Sequence, residues 1–234
     1  MNGREIKIER FDTLPSTNDY AKTLRNGGQD TIVIAKAQSG GRGTKGRSFS
    51  SKAGGLYLTL LRFLTDFPAK DAFSIMQTAA VAVCETLKLY ALEPKIKWPN
   101  DILVGGKKIC GILIENTFSG AWVRDSLVGI GLNVNNALEE ELCPIATSMR
   151  LETGKTLDLA EVESRLIDNL LRPADAEKYA RYLSYVGERV TLLRGAERID
   201  AKVLAVDERG NLVAQTKNGE EKFAAAEITL RHGE

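Results

Sequence analysis

The chain carries a single histidine, His232, close to its C-terminal end. That scarcity removes the central group of Ser-His-Asp and Cys-His nucleophilic schemes and of most His-ligated metal sites. Cysteine is nearly as rare. Cys84, Cys110 and Cys143 are scattered, odd in number and without a CxxC spacing. This argues against a disulfide frame or thiolate zinc site and reads as reduced cytosolic thiols. No apolar run approaches the roughly 18 residues of a membrane helix, and Met1-Asn2-Gly3-Arg4-Glu5 has no signal-peptide core. The expected location is therefore cytoplasmic, with no membrane partner. An excess of one charge is also missing: 32 Lys+Arg stand against 31 Asp+Glu. A general polyelectrolyte role, such as coating nucleic acid, is excluded, and any affinity for anions must come from local clustering.

What remains for chemistry is Lys, Arg, Asp and backbone amides, an inventory suited to phosphate, where positioning and charge neutralisation do most of the catalysis. A hydrophobic share of 43% over 234 residues suffices for a large domain with a small one attached.

The pattern along the chain supports that division. Glu5–Arg10 alternates as a strand. Ser16, with Asp19 three residues on, caps a helix running from Asn18 to Arg25, and Gly27 stops it. Thr31–Ala35 is a buried strand, and Leu56–Arg62 another. Residues 71–90 repeat Phe73, Ile75, Met76, Ala79, Ala80, Val83 and Leu87 at helical spacing. Lys95–Trp98 and Ile102–Val104 are short strands, Gly105-Gly106 turns into Ile109–Glu115, and a strand covers 123–133. Residues 158–182 form an amphipathic helix interrupted at Pro173. From Val186 onward, short β segments (Arg189–Leu193, Ala201–Val206, Leu212–Thr216, Lys222–Ala225) alternate with turns such as Asn218-Gly219-Glu220, the signature of a small β-barrel. The domains are placed at 1–184 and 185–234.

The stretch between Lys36 and Lys52 holds five cations and no carboxylate on an otherwise neutral chain. It contains Gly41-x-Gly43-x-x-Gly46 and nearly spells a P-loop ending in Arg47-Ser48, but both motifs must open a helix and here a strand follows. What survives is a loop whose amides and cations suit an anion, or equally a solvated basic segment. Lys97-Trp98-Pro99-Asn100-Asp101, near Lys107-Lys108, reads by itself as an ordinary turn. Gly129 and Gly131 in a strand mark a close approach to the backbone.

In this order, Pro15-Ser16-Thr17-Asn18, the Gly-Arg-Gly-x-x-Gly-Arg loop after Gln38, Lys97-Trp98-Pro99-Asn100-Asp101, Lys108-x-x-Gly111-Ile112-Leu113-x-Glu115 and Gly129-x-Gly131-x-Asn133 resemble the biotin protein ligases. The resemblance spans almost the whole chain. It implies an α+β fold: a mixed or antiparallel sheet flanked by helices, like class II aminoacyl-tRNA synthetases, with a small C-terminal SH3-like β-barrel. It also implies a two-step reaction, in which ATP and Mg2+ activate biotin to biotinyl-5'-AMP, and the biotinyl group then passes to a lysine of a biotin carboxyl carrier protein.

Matched residue by residue, the catalytic group is Lys108, bridging biotin carboxylate and α-phosphate, with Arg42 and Arg47 on phosphate and Asp101 orienting or deprotonating the incoming amine. Ser16, Thr17, Asn18, Gln38, Gly41, Arg42, Gly43 and Lys108 fall on the biotin side, where Gly111 and Gly129 make room for the bicycle. Arg42, Arg47, Phe49, Asn100, Lys108, Asn133 and Arg231 fall on the nucleotide side. Trp98 also matches there, although core packing explains it as well. No metal-ligating side chains are assigned, and Mg2+ is expected on the ATP phosphates.

Thr44 stands where many members carry a third loop arginine, and Phe49 where tryptophan is common. The chain starts at the catalytic domain, so a monofunctional ligase without operator DNA binding is expected, as a monomer or a homodimer. The competing readings are a lipoate or octanoate ligase or transferase of the same fold, a non-catalytic biotin or nucleotide sensor, and a plain phosphate- or RNA-binding module.

Overall fold

A computed structural model describes residues 5–174 and 176–231. Its main sheet has seven strands: β1 (Lys7–Leu14), β2 (Thr31–Gln38), β3 (Leu56–Phe63), β4 (Pro94–Lys97), β5 (Asp101–Val104), β6 (Lys107–Ser119) and β7 (Trp122–Leu132). They lie in the order β1-β2-β3-β7-β6-β5-β4. β1 and β2 are parallel, joined by a crossover through helix α1 (Thr17–Thr23), and every other neighbour is antiparallel. The sheet is thus mixed.

Successive strand residues point to opposite faces, and the core divides accordingly. Ile32, Ile34, Leu58 and Leu60 join one cluster, beneath α2 (Phe73–Lys88) and α4 (Leu159–Leu170). Val33, Ala35 and Leu61 join another, which Ala21 of α1 covers. Burial on both faces explains why β2 and β3 read as continuous apolar runs. Alanines 79, 80 and 82 bury the central turns of α2 completely or nearly so.

The C-terminal part has a sheet and core of its own. Strands β8 (Arg189–Arg194), β9 (Glu197–Val206), β10 (Leu212–Thr216), β11 (Gly219–Phe223) and β12 (Thr229–Arg231) pair antiparallel in the order β11-β10-β9-β8-β12. Among the described residues no pairing of β11 with β12 closes this sheet into the expected barrel. Its core gathers Val190, Leu192, Val203, Leu212, Phe223 and Leu230 around Trp98.

Several boundaries differ from expectation. β1 begins and ends later than Glu5–Arg10, because its parallel ladder runs from Lys7 opposite Thr31 to Leu14 opposite Gln38. α1 ends at Thr23, with Leu24 as cap. The interruption expected at Pro173 is there, separating α4 from a distinct α5 (Ala176–Tyr182). A one-turn helix α3 (Met149–Thr153), capped by the Ser148 hydroxyl and ended by left-handed Gly154, had no sequence counterpart. His232 lies outside the described residues.

Candidate active site

The ends of five main-sheet strands, the start of α1 and the glycine loop enclose a cavity of about 570 Å³. Ser16 is the N-cap of α1, its hydroxyl accepting from the Asp19 amide at 3.3 Å, so the cap faces Thr17 and Asn18 into the cavity wall. Gln38, the last residue of β2, is fixed at both ends. Its Oε1 accepts from the Thr17 amide (2.8 Å) and hydroxyl (3.1 Å), and its Nε2 donates to Ser51 Oγ at 2.8 Å.

The loop that follows folds back on itself. The Gly43 amide donates to the Arg47 carbonyl at 2.7 Å, and the Phe49 amide to the Gly41 carbonyl at 2.8 Å. A single 3-10 turn at Thr44–Gly46 needs left-handed Lys45 and Gly46. Lys45 Nζ reaches the Ile228 carbonyl at 2.8 Å, tying the loop to the C-terminal part. The loop opens no helix, which disposes of both nucleotide motifs its glycines suggested.

β5 and β6 supply the central charged pair: Lys108 Nζ lies 2.5 Å from Asp101 Oδ1. The ammonium also sits 5.6 Å from the centre of the Phe49 ring. On the other wall Arg42 is held by Asp19 at 2.5 Å and lies 3.7 Å from Glu115. Burial pushes the Glu115 carboxyl up, but bonds from Lys22 and Asn18, with the charges of Lys22 and Arg42, outweigh it and hold it below its ordinary value. Burial lowers the Lys97 amine; Asp101 opposes this, and the cations Arg231, Lys108 and Arg47 reinforce it. Cations from four separate segments thus share one cavity, with Asp101 the single carboxylate lining it among the described residues.

The biotin/lipoate A/B protein ligase family model matches residues 11–133, and a biotin protein ligase C terminal domain model matches residues 185–231. The chain belongs to the biotin/lipoate A/B protein ligase family. It is 34% identical to the bifunctional ligase/repressor BirA of Bacillus subtilis, over 94% of this chain and 72% of the relative. It is 32% identical to a biotin–[acetyl-CoA-carboxylase] ligase of Paracoccus denitrificans, over 91% of this chain and 96% of that one. A solved biotin protein ligase from Aquifex aeolicus, in complex with biotin and ATP, superposes with a TM-score of 0.79 at 29% identity, covering 97% and 99% of the two chains.

Within this biotin/lipoate ligase family member, the cavity brings together Ser16, Thr17, Asn18, Gln38, Arg42, Gly43, Arg47, Phe49, Asn100, Asp101, Lys108, Gly111, Gly129, Asn133 and Arg231. Two expected residues stand elsewhere. Trp98 is 3% exposed, its Nε1 donates to the Gly210 carbonyl at 2.9 Å, and its ring packs in the C-terminal core instead of facing the nucleotide side. Gly41 lies behind the cavity wall, where a side chain would strike the Phe49 carbonyl and the Ser51 hydroxyl. Its lack of a Cβ serves loop closure.

The close approach expected at Gly129 and Gly131 is made from within the chain. Asn18 Oδ1 occupies the space above Gly129, and the Phe49 ring lies across Gly111 and Gly131. The room they leave is filled by this chain's own side chains.

Asn100 and Asn133 line the cavity, but each commits its amide nitrogen to a backbone carbonyl: Asn100 to Ile112 at 2.8 Å, and Asn133 to Thr147 at 3.0 Å. Sequence reasoning gave Lys97 no role beyond its place in a motif, and passed over Asn136 and the apolar rim of Leu138, Leu142, Pro144 and Ile145. The rim had a legible signal, since these four apolar residues fall outside every helix and strand read from the sequence.

Proposed function

We propose that this chain uses ATP to activate biotin as biotinyl-5'-AMP, then transfers the biotinyl group to one lysine of the biotin carboxyl carrier protein of acetyl-CoA carboxylase. In the first step a biotin carboxylate oxygen attacks the α-phosphorus and the bond to pyrophosphate breaks. Two anions must meet, so cations have to stand at both. Lys108 exchanges Asp101 for the carboxylate and α-phosphate, while Arg42, Arg47 and Lys97 take up phosphate charge. In the second step the lysine amine attacks the acyl carbon and AMP leaves. The amine is inert while protonated, and Asp101, freed from Lys108, is placed to orient it and receive its proton. The glycine loop, closing over the adenylate, keeps water from the mixed anhydride.

Magnesium would neutralise charge on the triphosphate. Among the described residues no group of three or more His, Cys, Asp or Glu is gathered to chelate it. The lone cavity carboxylate, Asp101, is paired with Lys108. This donor set fits an ion held by the phosphates.

The observation that carries the reading is the convergence of Lys108, Arg42, Arg47 and Lys97 on one cavity, with Asp101 paired to Lys108 in its lining. The C-terminal match, specific to biotin protein ligases, favours biotin over lipoate. Incubation with biotin, Mg-ATP and apo-carrier domain, followed by intact-mass analysis, should show the gain of one biotinyl group. No gain with biotin, or a gain with lipoate instead, would overturn the proposal.

A further inference from the structure

Asn136 lines the cavity and is 4% exposed, yet its side-chain oxygen meets no donor among the described residues. A buried acceptor left unmet is costly, so it marks a place for a donor from outside the protein. The neighbouring bonds fix which end of the amide is free. The Thr147 backbone carbonyl can only accept, so the atom that faces it at 3.0 Å is Asn133 Nδ2. Asn133 Oδ1 then faces Asn136 and needs a donor there, which is Asn136 Nδ2 at 3.0 Å. Turning either amide over would set two oxygens against each other. Asn136 therefore keeps its nitrogen for the protein and offers only an acceptor, Oδ1.

Its place beyond β7 decides which ligand group is at hand. Gly129, Gly131 and Asn133 share one face of the chain, at successive steps of about 7 Å. Asn18 stands over the first, and Lys108 Nζ lies beside Gly111, the cross-strand partner of the second. On the reading above, biotin's carboxylate meets the α-phosphate at Lys108, with its ring on the side of Thr17 and Asn18. The nucleoside is left the opposite end, with Asn133 and Asn136. Leu142, Pro144 and Ile145, on the segment leading to Thr147, make the cavity lining apolar there. Such a lining suits the face of a flat ring, and the unmet acceptor suits an amino group on its edge.

We propose that Asn136 is a specificity-determining residue for the nucleotide: its Oδ1 accepts from the 6-amino group of adenine and turns guanine away. Guanine carries a carbonyl at that position, which would set acceptor against acceptor. This rests on the ATP reading above and deepens it, because Asn136 lies outside every motif of the resemblance and adds a second amide beside Asn133.

The test is biotin-dependent pyrophosphate exchange with ATP, GTP and purine riboside triphosphate, which lacks the 6-amino group. In the unmodified chain the KM for the purine analogue should exceed that for ATP roughly tenfold or more, the scale of one unmet buried hydrogen bond. GTP should be poorer still. Asn136→Leu keeps a side chain of similar size without the acceptor. It should raise the KM for ATP about tenfold and leave that for the analogue within about twofold, erasing the preference for the amino group. Biotin affinity, measured by isothermal titration calorimetry, should stay within about twofold of normal in that variant.

Equal KM values for ATP and the analogue in the unmodified chain would overturn the inference, as would GTP used as well as ATP. So would a preference for ATP that survives in Asn136→Leu. A loss shared equally by ATP and the analogue would overturn it too, by assigning Asn136 to holding Asn133 in place. Where the leucine variant does not fold, Asn136→Ala makes the same comparisons. An unmodified chain that shows no exchange with any nucleotide would instead sink the underlying reading.

Discussion

Replacing Lys108 by alanine separates the proposed chemistry from the fold. The ammonium lies 2.5 Å from Asp101, with the two side chains 35% and 24% exposed. A pair so open to water is screened, and its loss costs about 1 kcal/mol or less. Asp101 can hydrate once its partner is gone, and the contact with Phe49 adds a few tenths at most. On a chain of this size that is a fall in Tm of roughly 2–4 °C.

The expected effect on catalysis is far larger. Removing a single donor aimed at developing charge typically costs about 10²–10³ in rate, roughly 2.7–4 kcal/mol. Lys108 is placed to serve two anions at once, so the upper end applies. Biotin-dependent exchange of pyrophosphate into ATP reads the first step alone, and thermal unfolding reads the fold. When biotinyl-5'-AMP is supplied ready-made, transfer to the carrier should be impaired much less than exchange, because Lys108 acts mainly before the adenylate exists. Exchange within about threefold of normal in a folded Lys108→Ala chain would refute the mechanism.

Trp98→Phe should lower stability by about 1–3 kcal/mol, through the lost bond to Gly210 and a looser C-terminal core, while the KM for ATP stays unchanged. A raised KM with intact stability would return Trp98 to the nucleotide side. Burial, with Arg231, Lys108 and Arg47 adding to it against Asp101, lowers the Lys97 amine below 10.5. A triphosphate restores the charged form and so takes up a proton. ATP affinity should therefore be full below the depressed pKa and fall as pH rises through it. Lys97→Met should flatten that alkaline limb, and an unaltered limb would exclude Lys97 as its source. Thr44 now holds Arg47 through its hydroxyl at 3.2 Å. Thr44→Arg should slow biotinyl-5'-AMP release, since a charge-assisted phosphate contact contributes about 1.5–3 kcal/mol; an unchanged release rate would show that the loop lacks no cation.

What the sequence made legible was local. Ser16 with Asp19 marks a cap because the hydroxyl and amide that bond are three residues apart, and Gly105-Gly106 marks a hairpin because its strands are adjacent. Thr31–Ala35 reads as buried because β-branched residues on both faces leave little else for it to do. Trp98 was ambiguous for the opposite reason: its indole partner is the Gly210 carbonyl, 112 residues away. The placement of β3 between β2 and β7, which lines Thr59 up opposite Gly129, depends on long-range pairing that no periodicity encodes. The resemblance made Gly111 and Gly129 room for a ligand, whereas Phe49 and Asn18 lie over them. A missing Cβ says that something approaches, not what.

Two cations of the site are matched within the chain: Lys108 with Asp101, and Arg42 with Asp19 and more distantly with Glu115. Unpaired, those cations would repel one another across a partly buried cavity, where burial first and then the neighbouring cations already lower the Lys97 amine. Pairing steadies these two cations, but it means that an anionic ligand takes them by exchange, displacing Asp101 from Lys108 and Asp19 from Arg42. On the proposed mechanism that exchange orders the two steps. Asp101 Oδ1 is engaged by Lys108 before activation, and on this mechanism Lys108 leaves it for the carboxylate and phosphate that make the adenylate. The base for transfer is thus released by the act of activation, so an amine arriving early meets a carboxylate already engaged.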